Sequence, residues 1–395
     1  MTSPRSLLAL CCLLGTAISP AYSAERLIWF GSYTGGSTQS EGIYVSRFDD
    51  VTGKLSPAQL AGKAVNPSFL AIHPQLPMLY AVSEVVRYEG KSSGAVTAFA
   101  FDANTGMLTP KGAQPSGGAA PCHLTVDPTG RTVLAANYVG GSTICLGLNA
   151  EGILQPVVND AAPQPAGLQQ HVYARAGEFG VQASRQSEPH AHSVEVTPNG
   201  RFALVCDLGL DQVIAYRLDT EKATLAPHGF ARVKSGAGAR RSAFHPNGRL
   251  TYVVNELDLT VTVFELDAQA GSLREVQTLS TLPPEVAERK GFSCAEIAVH
   301  PSGKFLYASN RGHDSIAMYA IEEATGRLSF LGVQAIEGAM PRHFAVDPSG
   351  KFLLVGGQNS NTVAVFGIDA VSGKLKFTGT KIDVPSPVSI VFGRL

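Results

Sequence analysis

The two ends of the chain carry complementary halves of one repeat, and this limits the fold more than anything else in the sequence. The repeat is a short apolar run, a turn built on proline, and a second apolar run. It occurs six times: Ile72-His73-Pro74, Val126-Asp127-Pro128, Val196-Thr197-Pro198, Phe244-His245-Pro246, Val299-His300-Pro301 and Val346-Asp347-Pro348. Apolar runs joined by a tight Pro/Asn/Gly turn read as antiparallel hairpins. A second signature, a strand end followed by a polar turn and a leucine, occurs seven times, from Phe48-Asp49 with Leu55 to Ile368-Asp369 with Leu375. The missing seventh hairpin is split between the termini: Pro385 to Phe392 supplies its first strand and Leu27 to Gly36 its second. A repeat shared by both ends closes a ring, which also removes long exposed sheet edges. The expected fold is all-β: a seven-bladed β-propeller of four-stranded antiparallel blades, closed by the C-terminal strand pairing into the N-terminal blade. A linear β-solenoid would instead call for capping repeats.

The turn prolines are spaced 54, 70, 48, 55 and 47 residues apart. The 70-residue gap marks an insertion, about residues 159–188, rich in Gln, Ala and Gly. Long loops in compact folds tend to be functional or disordered, and this one abuts the most polar hairpin, so it is expected to overhang the channel mouth. A length of 395 residues alone would suggest two or three domains. The repeats make residues 24–395 one. Residues 1–23 stand apart: Arg5, the apolar run Leu7 to Leu14, and small residues around Ala21-Tyr22-Ser23 read as a signal peptide cleaved before Ala24. A periplasmic or secreted protein is expected. A lipoprotein anchored through Cys11 or Cys12 is disfavoured by Leu10, where a small residue belongs. The apolar run is too short to span a bilayer. The net charge of -1 implies no nucleic acid or membrane surface as partner, and a monomer is expected.

Strand geometry locates the chemistry. In a hairpin, the start of the first strand lies beside the end of the second. Six residues before each turn proline stand Ser68, Cys122, His192, Arg240, Ala295 and Arg342; five before stand Phe69, His123, Ser193, Arg241, Glu296 and His343. Ten after stand Glu84, Tyr138, Leu208, Glu256, Arg311 and Gln358, with Asn137, Asp207, Asn255 and Asn310 just ahead of four of them. If the first strand of each blade is innermost, these residues ring one mouth of the central channel. Polar groups gathered there must satisfy one another or bind something. Such a polar cleft is read as the candidate site; structural blade-to-blade bridges are the alternative, and a structural role is expected for Glu296, Asn255 and Asn310 taken singly. His73, His245 and His300, each just before a turn proline, are expected to make local turn hydrogen bonds.

His190 and His192 lie two apart on a strand and so point the same way; His123 or His343 could complete a metal site. Against this stand Arg240, Arg241, Arg311 and Arg342, which repel a cation and suit a carboxylate or phosphate. No metal is expected. The chain has no nucleophile elbow, Walker loop or dinucleotide fingerprint, so no cofactor is expected. Of the cysteines, Cys206 reads as a buried thiol, and a Cys122–Cys294 pairing stays open.

The stretches Pro189-His190-Ala191-His192-Ser193, Asp207-Leu208-Gly209-Leu210-Asp211, Val254-Asn255-Glu256-Leu257 and Ser309 to Ser315 resemble the seven-bladed β-propeller lactonase family, from about Leu27 to Phe392. That family includes bacterial 6-phosphogluconolactonase and the fungal 3-carboxy-cis,cis-muconate lactonising enzyme. The resemblance implies a site of His192, Arg240, Glu256 and Arg311, four members of the ring found by spacing. Arg241, Arg342, His343, His123, Glu84, Asn255 and Asn310 are then candidates for substrate binding. One departure concerns Gly238-Ala239-Arg240-Arg241, where the family reads Gly-Pro-Arg-His; the second arginine points to a more acidic substrate. The implied activity is cofactor-free hydrolysis of a small lactone bearing a carboxylate or phosphate, with Glu256 or His192 as base. An exported member meets a lactone other than the cytoplasmic 6-phosphogluconolactone. A muconate-type cycloisomerase and a non-catalytic anion- or protein-binding propeller stay open.

Overall fold

Alternation of apolar and small polar residues in short runs, cut by Gly- and Pro-bearing turns, favours strands throughout. The computed structural model describes residues 25–156, 167–173, 180–182 and 184–393. The proposed signal peptide and the Cys11/Cys12 anchor lie outside these residues. The described residues form 28 strands, β1–β28 in chain order, arranged as seven four-stranded antiparallel sheets. Among the described residues no helix is long and apolar enough to cross a membrane.

Ring closure occurs where the split repeat requires it. β28 (Pro387–Phe392) pairs antiparallel with β1 (Glu25–Ser32), which pairs with β2 (Gly42–Asp49). The first sheet therefore holds both ends of the chain. Its register, Phe30 opposite Ile390 and Gly31 opposite Ser389, joins two apolar halves that neither end could bury alone.

The hydrophobic core lies between neighbouring blades, and the second signature explains how they dock. Its glycine turns the outer hairpin with positive φ, as at Gly106 (φ 75) and Gly326 (φ 72). An added Cβ at Gly326 would meet Leu250 of the preceding blade at 2.3 Å. The carbonyls of these turns accept hydrogen bonds from aromatic side chains of the preceding blade: Trp29 Nε1 to Gly106 O at 2.8 Å, Tyr252 Oη to Gly326 O at 3.1 Å, and Tyr307 Oη to Gly373 O at 2.9 Å. The turn histidines do the same on the inner hairpins. His73, His245 and His300 accept local backbone N–H bonds at Nδ1, as expected, and their Nε2 atoms reach the next blade at Gly130, Gly303 and Gly350.

The insertion contains the third blade's outer strand. β11 (Leu168–Gln170) pairs with β10 (Ser142–Gly147), completing the sheet begun by β8 (Pro121–Val126) and β9 (Thr132–Asn137). The chain then runs inward. His171 Nδ1 meets Asp207 Oδ2 at 2.7 Å, the Tyr173 hydroxyl donates to the Gln186 and Gly209 carbonyls, and Gln186 Nε2 donates to Leu208 O and Asp211 Oδ1. Cys122, Cys145, Cys206 and Cys294 are all buried free thiols, so Cys122 and Cys294 are not paired.

Candidate active site

One backbone device recurs at the channel. The inner strands β8, β12 (Ala191–Val196), β16 (Ala239–Phe244) and β24 (Pro341–Val346) each carry a register shift, at Cys122, His192, Arg240 and Arg342 respectively. In β20 (Ser293–Val299) the shift covers Ala295 and Glu296. A β-bulge leaves one extra residue unpaired and re-aims its side chain. Adjacent residues that strict alternation would send to opposite faces thus both line one cavity and fall into two tiers, the bulge residues around Glu256 and their successors around Arg241. His190 and His192 both pack on Tyr138, the His190 ring stacked at 4.3 Å with Nδ1 3.0 Å from the Tyr138 carbonyl and the His192 ring edge-on at 5.2 Å.

The upper tier converges on Glu256, at the end of β17 (Leu250–Asn255). Its Oε2 receives Arg240 Nε at 2.8 Å, an Arg311 terminal nitrogen at 3.1 Å and His192 Nε2 at 3.6 Å, while Oε1 receives Arg185 at 2.7 Å. Burial alone would raise the Glu256 carboxyl, but Arg311, Arg240, His192 and Arg185 hold it well below the usual carboxylate range. Burial and the neighbouring Arg240 push His192 well below the usual imidazole value, so it is neutral at pH 7. Burial and the charge of Arg311 bring Arg240 down to about 10. Arg240 also donates to Ala295 O, and Arg311 donates to Cys294 O at 2.9 Å. The buried Nε of Arg311 has no acceptor among the described residues. Arg342 lies over the Tyr33 ring at 5.3 Å and 4.0 Å from Glu84, which accepts a hydrogen bond from the Tyr33 hydroxyl.

The lower tier is built around Arg241. Its Nε meets Glu296 Oε1 at 2.8 Å, a terminal nitrogen meets Glu195 Oε1 at 2.7 Å, and its guanidinium lies 4.9 Å from the Phe69 ring centre. His123 stands 3.6 Å from Glu195, and His343 3.5 Å from Glu296. Burial, followed by the charge of Arg241 for His123, depresses both imidazoles; His343 falls to about 4 through burial, against the pull of Glu296. Between the tiers the free space is about 10 Å³, room for about one water.

Most of the residues expected in the ring are brought together. His192, Glu256, Arg240 and Arg311 form one cluster, with Glu84 and Arg342 beside it. Arg241, His123 and His343 sit a tier below. Asn255 and Asn310 are not brought into either group. The Asn255 amide donates to Thr260 and Thr262 inside its own blade, and that of Asn310 to Ser315 of its own blade and to the Thr281 carbonyl, just past the outer strand of the preceding blade. Two residues escaped the sequence reading. Glu195 stands three before its turn proline, where the other hairpins carry Ala71, Thr125, Ala243, Ala298 and Ala345. A lone charge among small residues was a usable signal. Arg185 lies in the insertion, outside the repeat register, and nothing in its spacing marks it.

A family model described as lactonase, 7-bladed beta-propeller, matches residues 27–392. A 6-phosphogluconolactonase of Bacillus subtilis is 34% identical over 80% of this chain and 83% of its own length. One of Formosa agariphila is 29% identical over 80% and 85%. Among solved structures, a periplasmic gluconolactonase of Pseudomonas aeruginosa superposes with a TM-score of 0.83 at 30% identity, covering 94% of this chain and 99% of that one.

Proposed function

The chain belongs to the seven-bladed β-propeller lactonase family, and from that premise we propose that it hydrolyses an anionic lactone of the phosphogluconolactone kind at the channel mouth. The carrying observation is a neutral-tuned imidazole, His192, beside a carboxylate gripped by Arg240, Arg311 and Arg185. Sequence left the base open between His192 and Glu256. The geometry favours His192. The Glu256 carboxylate has both oxygens committed to guanidinium groups, whereas the His192 imidazole, weakened as a base by burial and Arg240 but neutral at pH 7, can take a proton from water as that water attacks the lactone carbonyl. Glu256 is then the positioning residue that holds Arg240 and Arg311 in place.

As the carbonyl carbon becomes tetrahedral, its oxygen gains negative charge. Donors already fixed at that position stabilise it most. The orphaned Nε of Arg311 and the unbonded terminal nitrogen of Arg240 are suited to this role. The proton held on His192 passes to the ring oxygen as the ester bond breaks, leaving the free hydroxy acid. Four arginines against Glu256 and Glu84 leave the mouth positive, which draws an anion. The same arginines disfavour a cation, and Glu256 is already occupied by them, so the reaction is assigned no metal. The N-terminal apolar stretch and the periplasmic neighbour support export. In that compartment an unphosphorylated or differently charged aldonolactone is as natural a substrate as the phosphorylated one.

The test is proton release by the purified mature protein on 6-phosphogluconolactone, gluconolactone and simple γ-lactones, with and without EDTA. Hydrolysis that survives EDTA and is lost in His192→Ala is the expected result. Turnover unchanged in both His192→Ala and Glu256→Gln would sink the assignment.

A further inference from the structure

Arg240 and Arg311, the two arginines first expected to grip the substrate's anionic group, are poorly placed to do so. Their side chains are only 5% and 12% exposed. Arg240 is committed through Nε and a terminal nitrogen to Glu256 and Ala295 O, and Arg311 through one terminal nitrogen to Glu256 and Cys294 O, with its Nε buried. We assign them to the reacting carbonyl. Arg185 differs in exposure. Its side chain is 39% exposed. A single terminal nitrogen makes both of its contacts, to Glu256 Oε1 at 2.7 Å and to the Tyr138 hydroxyl at 3.0 Å. Its Nε and other terminal nitrogen make no hydrogen bond among the described residues, so two donors of a part-exposed cation stay available to a carboxylate or phosphate.

Arg185 is also held in position. The next residue, Gln186, is fully buried and bonded to Leu208 O and Asp211, and the Tyr173 hydroxyl donates to its carbonyl. The same Asp211 accepts the N–H groups of Gly236 and Gly238, in the turn that leads into Arg240. The inserted stretch and the catalytic blade therefore share one anchor.

We infer that Arg185 is the residue that selects lactones carrying a remote anionic group, by binding a phosphate or carboxylate on the substrate's tail while Arg240 and Arg311 serve the reacting carbonyl. This rests on the lactonase reading above. It implies that charge selectivity resides in the insertion and not in the repeat-encoded ring.

The test compares the wild-type protein with Arg185→Ala and Arg185→Lys. KM would be measured for 6-phosphogluconolactone and for neutral gluconolactone, corrected for spontaneous opening. Binding of 6-phosphogluconate and gluconate would be followed by calorimetry. Arg185→Ala is expected to raise KM for the phosphorylated lactone about 10- to 100-fold with kcat little changed. The neutral lactone should be affected less than about threefold, and lysine should restore part of the loss. Equal losses on both lactones would mean that Arg185 merely steadies Glu256 and would overturn the inference. So would equal calorimetric affinity for 6-phosphogluconate in wild type and Arg185→Ala. If the wild type opens neither lactone yet loses 6-phosphogluconate affinity in Arg185→Ala, the hydrolase reading fails and the anion-selecting role of Arg185 stands.

Discussion

The two tiers of the channel use nearly the same residue types, a histidine or two, arginines and glutamates, in opposite balance. At the mouth, Arg185, Arg240, Arg311 and Arg342 face Glu256 and Glu84. One tier down, a single Arg241 lies between Glu195 and Glu296, with His123 and His343 neutral beside them. The mouth has surplus positive charge and donors without acceptors. The floor has a surplus carboxylate, and burial pushes Glu195 upward despite Arg241. On the reading proposed above, an anion is drawn to the first tier and not to the second. Arg241 marks the difference: placed by sequence among the substrate-binding arginines, it pairs with Glu195 and Glu296 inside the chain.

If the mouth is chemical and the floor structural, substitutions should separate activity from stability. The largest expected effect is on His192. His192→Ala should cut kcat by about 10²- to 10⁴-fold with the fold retained, as judged by far-ultraviolet circular dichroism and the melting temperature. A rate within a few fold of wild type would remove the distinction between the tiers.

Arg241→Met should do the converse. Removing one partner of a buried ion cluster leaves uncompensated charge and costs about 3–5 kcal/mol, here the two carboxylates of Glu195 and Glu296. Urea unfolding should therefore show a large drop in midpoint. Below the melting transition, kcat on the preferred lactone should stay within about tenfold. The double variant Glu195→Gln/Arg241→His, which restores the family's residue and removes one carboxylate, should recover much of the stability. A collapse of kcat with stability intact would place Arg241 in the catalytic tier after all.

The ring, the blade number and the split closing sheet were legible because each rests on a repeat, and a repeat encodes which backbone pairs with which. The membership of the upper cluster was legible for the same reason: a fixed distance from the turn proline is a fixed height along the channel. The division into two tiers was not. It depends on bulges at Cys122, His192, Arg240 and Arg342, and a bulge changes hydrogen-bond register without any obligatory residue signature. Asn255 and Asn310 sat at the right height but spend their amides on structural bonds, because the threonines and serine that begin the next strand, and for Asn310 the Thr281 carbonyl beside the preceding blade, offer partners there. Arg185 was invisible because it lies within an insertion, where height along the channel no longer follows from sequence distance.

The tiers should also answer differently to acid. His192, His123 and His343 all have folded-state values below that of a free imidazole. Below about pH 6.5 the unfolded chain takes up protons that the folded protein refuses, so stability is greatest above that pH and falls as the pH drops. For His343, depressed to about 4, the loss accumulates between those two values and comes to roughly 3 kcal/mol. Glu296 adds to it at lower pH: Arg241 and His343 hold its carboxyl down against the upward push of burial, so its contribution is lost as it protonates. Catalysis should be less sensitive over the same interval, since His192 stays neutral and competent well below pH 6.5. The discriminating variant is His343→Asn, which keeps a ring-sized polar group against Glu296 but cannot titrate. It should flatten the stability slope between pH 6.5 and 4 by about one proton, about 1.4 kcal/mol per pH unit, while the pH profile of kcat stays where it was. A stability slope unchanged in His343→Asn would mean the floor is not where acid acts. A shifted kcat profile would mean the two tiers titrate as one.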